Sequence, residues 1–509
     1  MLSLDDRGPP PPCPAPFNLA THVLAPAAGQ PDKVALALVG AARAERWSYG
    51  RLAAAVGGAA SGLRAAGVAA GETVLLRLGN TPDFPVAFLA CATIGALPVP
   101  VSAALTVPEV AALLPGLAPR LILADPRLPL PPAPCLVLGP AEIRGWAALA
   151  PAQPQMGDPD RPGYLVFTSG TSGRPRAVAH AHRAVWARGM MRAGWDGIGP
   201  DDRVLHAGAF NWTYTLGTGL LDPWSQGATA LIPAEGTDAA ALPLLLKRHD
   251  ATVFAAAPAV YRRMLAAGPL PALPRLRHGL SAGEKLSPTL RAAWEDATGR
   301  PVYEALGMSE CSTFVSGSAA RPAPEGATGY AQPGRRIAVL GEDGTPVPRG
   351  APGELAVHRT DPGLFLGYLG AEAETMARFS GDWFLTGDGA VMAEDGAISY
   401  LGRRDEMMNA GGVRVSPLEV EAALAACPGI AEVAVAEVPV KADTSVIAAF
   451  YAAAAPLPED LLAGFASARL ARYKCPRAWV HLPALPRTAT GKTDRRALVA
   501  LFASRAKEP

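Results

Sequence analysis

The residues best suited to chemistry stand together in Tyr164-Leu165-Val166-Phe167-Thr168-Ser169-Gly170-Thr171-Ser172-Gly173-Arg174-Pro175-Arg176. Four apolar or β-branched residues read as a buried strand, after which the chain turns to hydroxyls, glycines and two arginines. Gly170 and Gly173 permit turns that expose successive backbone N–H groups, the hydroxyls donate further hydrogen bonds, and Arg174 and Arg176 add positive charge. That combination suits the holding of a polyphosphate. A Ser/Gly linker has a similar composition, but it does not usually follow a buried strand and end in paired arginines.

Other chemically capable groups are more ambiguous. His180 and His182 form an HxH pair that could bind a metal, but no third ligand is near in sequence, which favours a structural role. Phe210, Asn211, Trp212, Tyr214 and Trp224, interleaved with Gly217 and Gly219, suit the wall of a small-molecule pocket and suit an ordinary core nearly as well. Asp388, in Thr386-Gly387-Asp388 at a strand end, could accept two hydrogen bonds from a ribose diol, although such a triplet is also a common turn. Gly491-Lys492-Thr493 looks like the end of a nucleotide-binding P-loop, yet the glycine required five residues before Gly491 is Pro486, which excludes that motif.

These groups need a scaffold, and the sequence patterning supplies one. A chain of 509 residues exceeds the roughly 250–300 residues of a single core, so more than one domain is expected. Strand and helix alternate from Lys33 onward. Strands are expected at Val34 to Val39, Thr73 to Leu78 and Leu121 to Ala124, and helices at Tyr49 to Ala66 and Val107 to Leu114. This is the grammar of an α/β fold with largely parallel, doubly wound sheets. The uncharged run Phe84 to Pro108 is long enough to cross a bilayer, but Pro85, Gly95, Pro98 and Pro100 break it, and it reads as a short buried helix followed by a buried strand. Residues 126 to 162 read as a proline-rich connector. A strand is expected at Ala177 to Ala181 and a helix at His182 to Met191. Short β-prone runs between Gly and Pro over 323 to 401 suggest an antiparallel β-subdomain. The last hundred residues read as a small α+β domain, with helices at Pro417 to Ala426 and Glu459 to Leu470 and strands at Ala431 to Glu437 and Ser445 to Tyr451.

A net charge of +1 gives no basic excess for nucleic acid and no acidic tail. Six cysteines without CxxC spacing point to free thiols in a reducing, cytoplasmic setting. No membrane span is expected.

The loop at 164 to 176 resembles the phosphate loop of the adenylate-forming enzymes, the superfamily that includes acyl-CoA synthetases. Arg176 stands where that family usually has lysine, and Ala177 where a glycine often follows. Four later segments are similar to further motifs of the family. Gly279-Leu280-Ser281-Ala282-Gly283-Glu284 looks like its adenine-side loop. Tyr303-Glu304-Ala305-Leu306-Gly307-Met308-Ser309-Glu310 looks like its magnesium-side motif, with Ser309 for the usual threonine and Leu306 for the commoner aromatic. Gly402-Arg403-Arg404-Asp405-Glu406-Met407-Met408-Asn409-Ala410-Gly411-Gly412-Val413-Arg414 is the longest match, and Leu485 to Arg495 resembles the terminal lysine motif.

The resemblance implies a large N-terminal AMP-binding domain over 1–402 and a small mobile lid over 403–509. It implies that Thr168, Ser169, Gly170, Thr171, Ser172, Gly173 and Arg176 hold ATP phosphates, with Ser281 to Glu284 and Glu304 to Ser309 around the base. Glu310 would hold Mg²⁺, a role that suits a lone carboxylate beside a triphosphate. Asp388 and Arg403 would take the ribose, and Lys492 would bridge the acid and the α-phosphate. Asp405 would be the hinge. Gly411, Gly412, Val413, Arg414 and Lys474 would meet CoA. Phe210, Trp212, Tyr214, Leu306 and Met308 would form an apolar acyl pocket, and the neutral Asn211, where amino-acid-activating members carry aspartate, argues against an α-amino acid. The implied activity is ATP-dependent joining of a carboxylic acid to coenzyme A through an acyl-adenylate. The motif forms look most like benzoate and medium-chain acyl-CoA ligases. A carrier-protein thiol is the alternative acceptor, a non-catalytic nucleotide-binding protein is a remoter one, and a homodimer is one option for the oligomeric state.

Overall fold

The computed structural model describes residues 1–168, 176–404, 408–410, 413–441, 444–470, 472, 474–488 and 491–505. Contacts divide the chain into two compact units. Asp5–Ile337 and Val357–Phe384 form the larger; Met1–Leu4, Ala338–Ala356 and Leu385–Pro509 form the smaller.

The larger unit is built on a nine-stranded sheet. From one edge to the other its strands are Tyr330–Ala331, Ser312–Ser316, Val302–Met308, His278–Ala282, Val253–Ala256, Arg203–His206, Thr229–Pro233, Val34–Val39 and Ala44–Ser48. The six from Val302–Met308 to Val34–Val39 run parallel, and antiparallel hairpins close both edges. Parallel strands need crossovers, and the helices Leu242–Arg248, Pro258–Ala266 and Pro288–Thr298 provide them. Arg203–His206 has its next strand in sequence, Thr229–Pro233, on one side and Val253–Ala256 on the other. The chain therefore leaves these neighbours in opposite directions, which opens a crevice at their carboxyl ends, the usual ligand position in such sheets.

A second parallel sheet holds Leu97–Pro100, Thr73–Arg77, Leu121–Ala124 and Leu136–Leu138. The uncharged run is the buried helix Asp83–Thr93 and the buried strand Leu97–Pro100, as its prolines and glycine require. Among the described residues no helix is long and apolar enough to cross a membrane.

Two local expectations need correction. The connector at 126 to 162 contains the strand Leu136–Leu138 and the helix Pro140–Trp146. Pro140 occupies the first helical turn, where proline starts a helix rather than breaking one, and Arg144 of that helix meets the buried carboxylate of Asp83 at 2.7 Å. The single helix expected over His182 to Met191 is instead Arg183–Ala187, a 3₁₀ turn at Arg188–Met190 and Met191–Gly194.

In the smaller unit, Asp388 of the strand Trp383–Met392 stands directly opposite Arg403 of the antiparallel strand Ile398–Arg403. Further on, the sheet of Glu432–Lys441, Thr444–Ala452 and Ala478–Leu482 carries the helices Pro417–Ala425, Glu459–Ser467 and Arg495–Arg505. Phe450, Val480 and Leu498 form part of its core. Ser416 caps the first of these helices with its side chain.

Candidate active site

Thr168 and Arg176 stand opposite each other at the mouth of an antiparallel hairpin formed by Pro162–Thr168 and Arg176–Ala181. Ser169, Gly170, Thr171, Ser172 and Gly173, the residues expected to grip phosphate, lie outside the described residues, but both ends of their loop are fixed. Arg176 is largely buried and pairs with Glu374 of the helix Glu372–Met376. Its guanidinium also lies 5.2 Å from the centre of the Tyr368 ring. The Tyr368 hydroxyl donates to Glu310 Oε1 at 2.7 Å. Arg176, Tyr368 and Glu310 thus form one continuous polar chain, and burial together with the Glu310 charge pushes the Tyr368 hydroxyl well above its ordinary pKa.

Glu310 is displayed by a tight hairpin between Val302–Met308 and Ser312–Ser316. A side chain at Gly307 would collide with the Ser312 carbonyl, so glycine is required there. Nothing in the sequence singled out Tyr368. The available signal was Gly367-Tyr368, which forms a two-residue strand against Val178 and Ala179 and resembles an ordinary turn in its Gly-rich surroundings.

At the ends of adjacent parallel strands, Ser281 and Glu304 stand opposite each other, as do Ala282 and Ala305. Gly283 has φ +98°, and a Cβ on it would come within 2.6 Å of the Trp212 ring. The aromatic run and the expected adenine-side loop are therefore in contact. Glu304 is buried and holds the following segment, taking Leu286 N–H at 2.9 Å and Lys285 Nζ at 3.2 Å. Burial raises its pKa, and Lys285 opposes the rise. Leu306, Met308 and Ser309 are half-buried.

Tyr214 stacks edge-on against Trp212 and sends its hydroxyl to the Leu280 carbonyl at 3.0 Å. Phe210 packs against Phe84. Neither lines the small cavity that opens nearby. Its walls include Tyr164, His180, Arg188, Thr213, Ser309 and Ser312.

The HxH pair serves structure. His180 stacks on Tyr164 and its Nε2 lies 2.7 Å from the Ser309 carbonyl, while His182 Nδ1 accepts the Leu19 N–H at 3.1 Å. Burial pushes their pKa values down to about 4 and about 3, so both rings are neutral.

In the smaller unit, Arg403 Nη1 bonds the Thr386 carbonyl at 2.8 Å and Asp388 Oδ1 at 3.2 Å. Gly387, at φ +77°, leaves room for this, because a Cβ there would lie 2.6 Å from the guanidinium. Burial pushes the Asp388 carboxyl up to about 6, against the opposing pull of Arg403 and, more weakly, of Lys492. Desolvation wins because Asp388 is buried while Arg403 remains half-buried. Lys492 is exposed on a turn closed by Thr488 N–H to the Lys492 carbonyl at 2.8 Å. Gly491 sits at φ +87° just before it. Lys474 pairs with Glu419. Asp405, Gly411 and Gly412 lie outside the described residues. Val413 and Arg414 belong to the short strand Val413–Val415.

Comparison with known proteins identifies the family. The profile of the AMP-binding enzyme family matches residues 24–369, and that of the AMP-binding enzyme C-terminal domain matches residues 419–492. The chain is 30% identical to a 3-hydroxybenzoate–CoA ligase of Aromatoleum sp. (strain CIB), covering 94% of this chain and 96% of that protein. It is 31% identical to a benzoate–CoA ligase of Thauera aromatica, covering 88% and 90%. Among solved structures, a benzoate CoA ligase from Burkholderia xenovorans LB400 superposes with a TM-score of 0.86 at 29% identity, covering 95% of this chain and 100% of that one. The anthranilate CoA ligase AuaEII in complex with anthranoyl-AMP gives 0.88 at 25% identity, covering 97% and 99%. The chain belongs to the AMP-binding enzyme family.

Proposed function

We propose that this enzyme joins an aromatic or short-to-medium carboxylic acid to coenzyme A in two steps, through an acyl-adenylate, releasing AMP and pyrophosphate. The observation that carries the reading is the Arg176–Tyr368–Glu310 chain at the 168/176 hairpin, which sets a cation, a hydroxyl and a carboxylate together where the segment proposed to grip phosphate rejoins the described chain.

A carboxylate attacking ATP must overcome repulsion between anions, and the α-phosphorus then carries added negative charge. Fixed positive charge and N–H donors lower both barriers. Arg176 faces the β- and γ-phosphates. Lys492 meets the acid carboxylate and the α-phosphate, and Asp388 with Arg403 holds the ribose. Glu310 suits magnesium, being a single buried carboxylate already oriented by a hydroxyl. When bound, the metal would neutralise phosphate charge.

The thiol of coenzyme A then displaces AMP from the acyl carbon. In this reading the segment 403–509 acts as a lid that turns about Asp405 between the two steps, bringing the 411–414 segment and Lys474 toward the thiol donor.

A panel of carboxylic acids assayed for ATP- and CoA-dependent AMP release tests the proposal. Aromatic acids should support release that depends on both ATP and CoA. Release with a carrier-protein thiol but not with CoA would reassign the acceptor.

A further inference from the structure

The cavity walled by Tyr164, His180, Arg188, Thr213, Leu216, Gly217, Leu221, Ser309 and Ser312 is more polar than the apolar pocket expected from the sequence. It adjoins the reacting region in the chain: Ser309 and Ser312 flank Glu310 in one hairpin, and Thr213 follows Trp212.

Ser312 is the unusual residue here. Its φ of +61° places a non-glycine side chain in the left-handed region, the position of a tight hairpin that glycine normally fills. Such outliers persist where surrounding structure holds them and are concentrated at functional sites. Ser312 is held by Arg188, whose Nη1 donates to its hydroxyl oxygen. With that lone pair engaged by a cation, the serine O–H becomes a polarised donor.

Arg188 is buried at 6% exposure, and its own charge is matched by Asp222 through hydrogen bonds of 2.7 and 2.6 Å. The wall is therefore polar yet electrically balanced. A second carboxylate placed here would be a buried, uncompensated charge, whereas a neutral oxygen would not. His180 also lines the cavity. Its Nε2 must donate to the Ser309 carbonyl, which leaves Nδ1 as an acceptor with no partner among the described residues. The cavity is small, with room for about one hydroxyl-sized group.

We propose that this cavity is the specificity subsite for a neutral hydroxyl substituent on the acid, with Ser312 as the recognising donor and Arg188 as the positioning residue behind it. The inference rests on the ligase reading above. It selects hydroxylated monocarboxylic acids over unsubstituted acids and over dicarboxylic acids of similar size.

The test uses the full-length chain and its Ser312→Ala and Ser312→Gly variants. Both remove the hydroxyl, and the second also relieves the left-handed backbone. AMP release is measured with benzoic acid, its three monohydroxy isomers and its three dicarboxylic analogues, alongside acid binding by calorimetry. The wild type should favour the best hydroxylated isomer over benzoic acid by about tenfold or more in kcat/KM, the size expected when a buried hydrogen-bonding group loses its partner. Both variants should lose about tenfold of that preference, and calorimetry should show the same loss in binding.

A preference unchanged in both variants, or a wild type that favours benzoic acid or a dicarboxylic acid, would overturn the subsite. If calorimetry shows the predicted discrimination but no acid supports AMP release, the ligase reading fails while the subsite stands. If no acid binds or reacts, both fail.

Discussion

Arg176, the proposed phosphate contact, has its charge already shared with Glu374. Bound triphosphate must compete with that carboxylate, so the arginine's contribution falls on nucleotide binding. Arg176→Ala should raise the KM for ATP about tenfold, the loss of one charge-assisted contact, with little change in the order of acid preference. Steady-state kinetics over ATP and acid concentrations checks this. Lys492 is placed differently, exposed on its turn. Lys492→Ala should abolish adenylate formation while leaving thioester formation from supplied adenylate largely intact; equal loss of both would remove it from the first step.

Asp388 gives a pH prediction with a definite sign. Its carboxyl is raised to about 6 from an ordinary 3.8, so between those values the folded protein keeps a proton that the unfolded chain has released. Stability contributed by this group is therefore full at low pH and declines as pH rises through that window. Under the proposed ribose-binding role activity runs the other way, because only the ionised carboxylate would accept from both ribose hydroxyls. The kcat/KM for ATP should fall below about pH 6, and Asp388→Asn should lower activity and remove that limb of the profile.

At the scale of elements, the proposed site depends on two hairpins and a few parallel strand ends. The hairpin that displays Glu310 turns at Gly307, where a side chain meets the backbone of Ser312. Gly307→Ala should cost about 1–3 kcal/mol of stability, seen as a lower melting temperature, and reduce adenylation with it. Much of this scaffold was readable from the sequence. Val34–Val39 and Leu121–Ala124 were legible because continuous apolar runs bounded by turn residues admit little besides a buried strand. The helix Pro140–Trp146 was not, because proline density hides a proline that begins a helix. The contact between Trp212 and Gly283 was not legible, because it joins residues distant in sequence; it leaves no room for a side chain on that glycine. Tyr368 and Ser312 were illegible for different reasons: Tyr368 meets a partner 58 residues away, and Ser312 stands out by a backbone angle that sequence does not display.

For the whole molecule, the residues proposed to serve the reaction fall in both compact units. Arg176, Glu310 and Tyr368 belong to the larger, and Asp388, Arg403 and Lys492 to the smaller. Movement of the 403–509 segment between the two steps is part of the proposed function and is tested at Asp405. Asp405→Pro, by restricting the proposed hinge, should impair thioester formation more than adenylation, measured as separate half-reactions; equal rates for both against wild type would remove the hinge.

The central claim is that the acid is activated on AMP before the thiol is engaged. Its most direct test is acid-dependent exchange of labelled pyrophosphate into ATP without CoA, followed by addition of CoA to the same mixture. The account predicts exchange with an aromatic acid alone, then release of AMP and formation of the acyl thioester in equal amounts once CoA is added. Exchange that requires CoA from the outset, or release of ADP and phosphate in place of AMP and pyrophosphate, would contradict it.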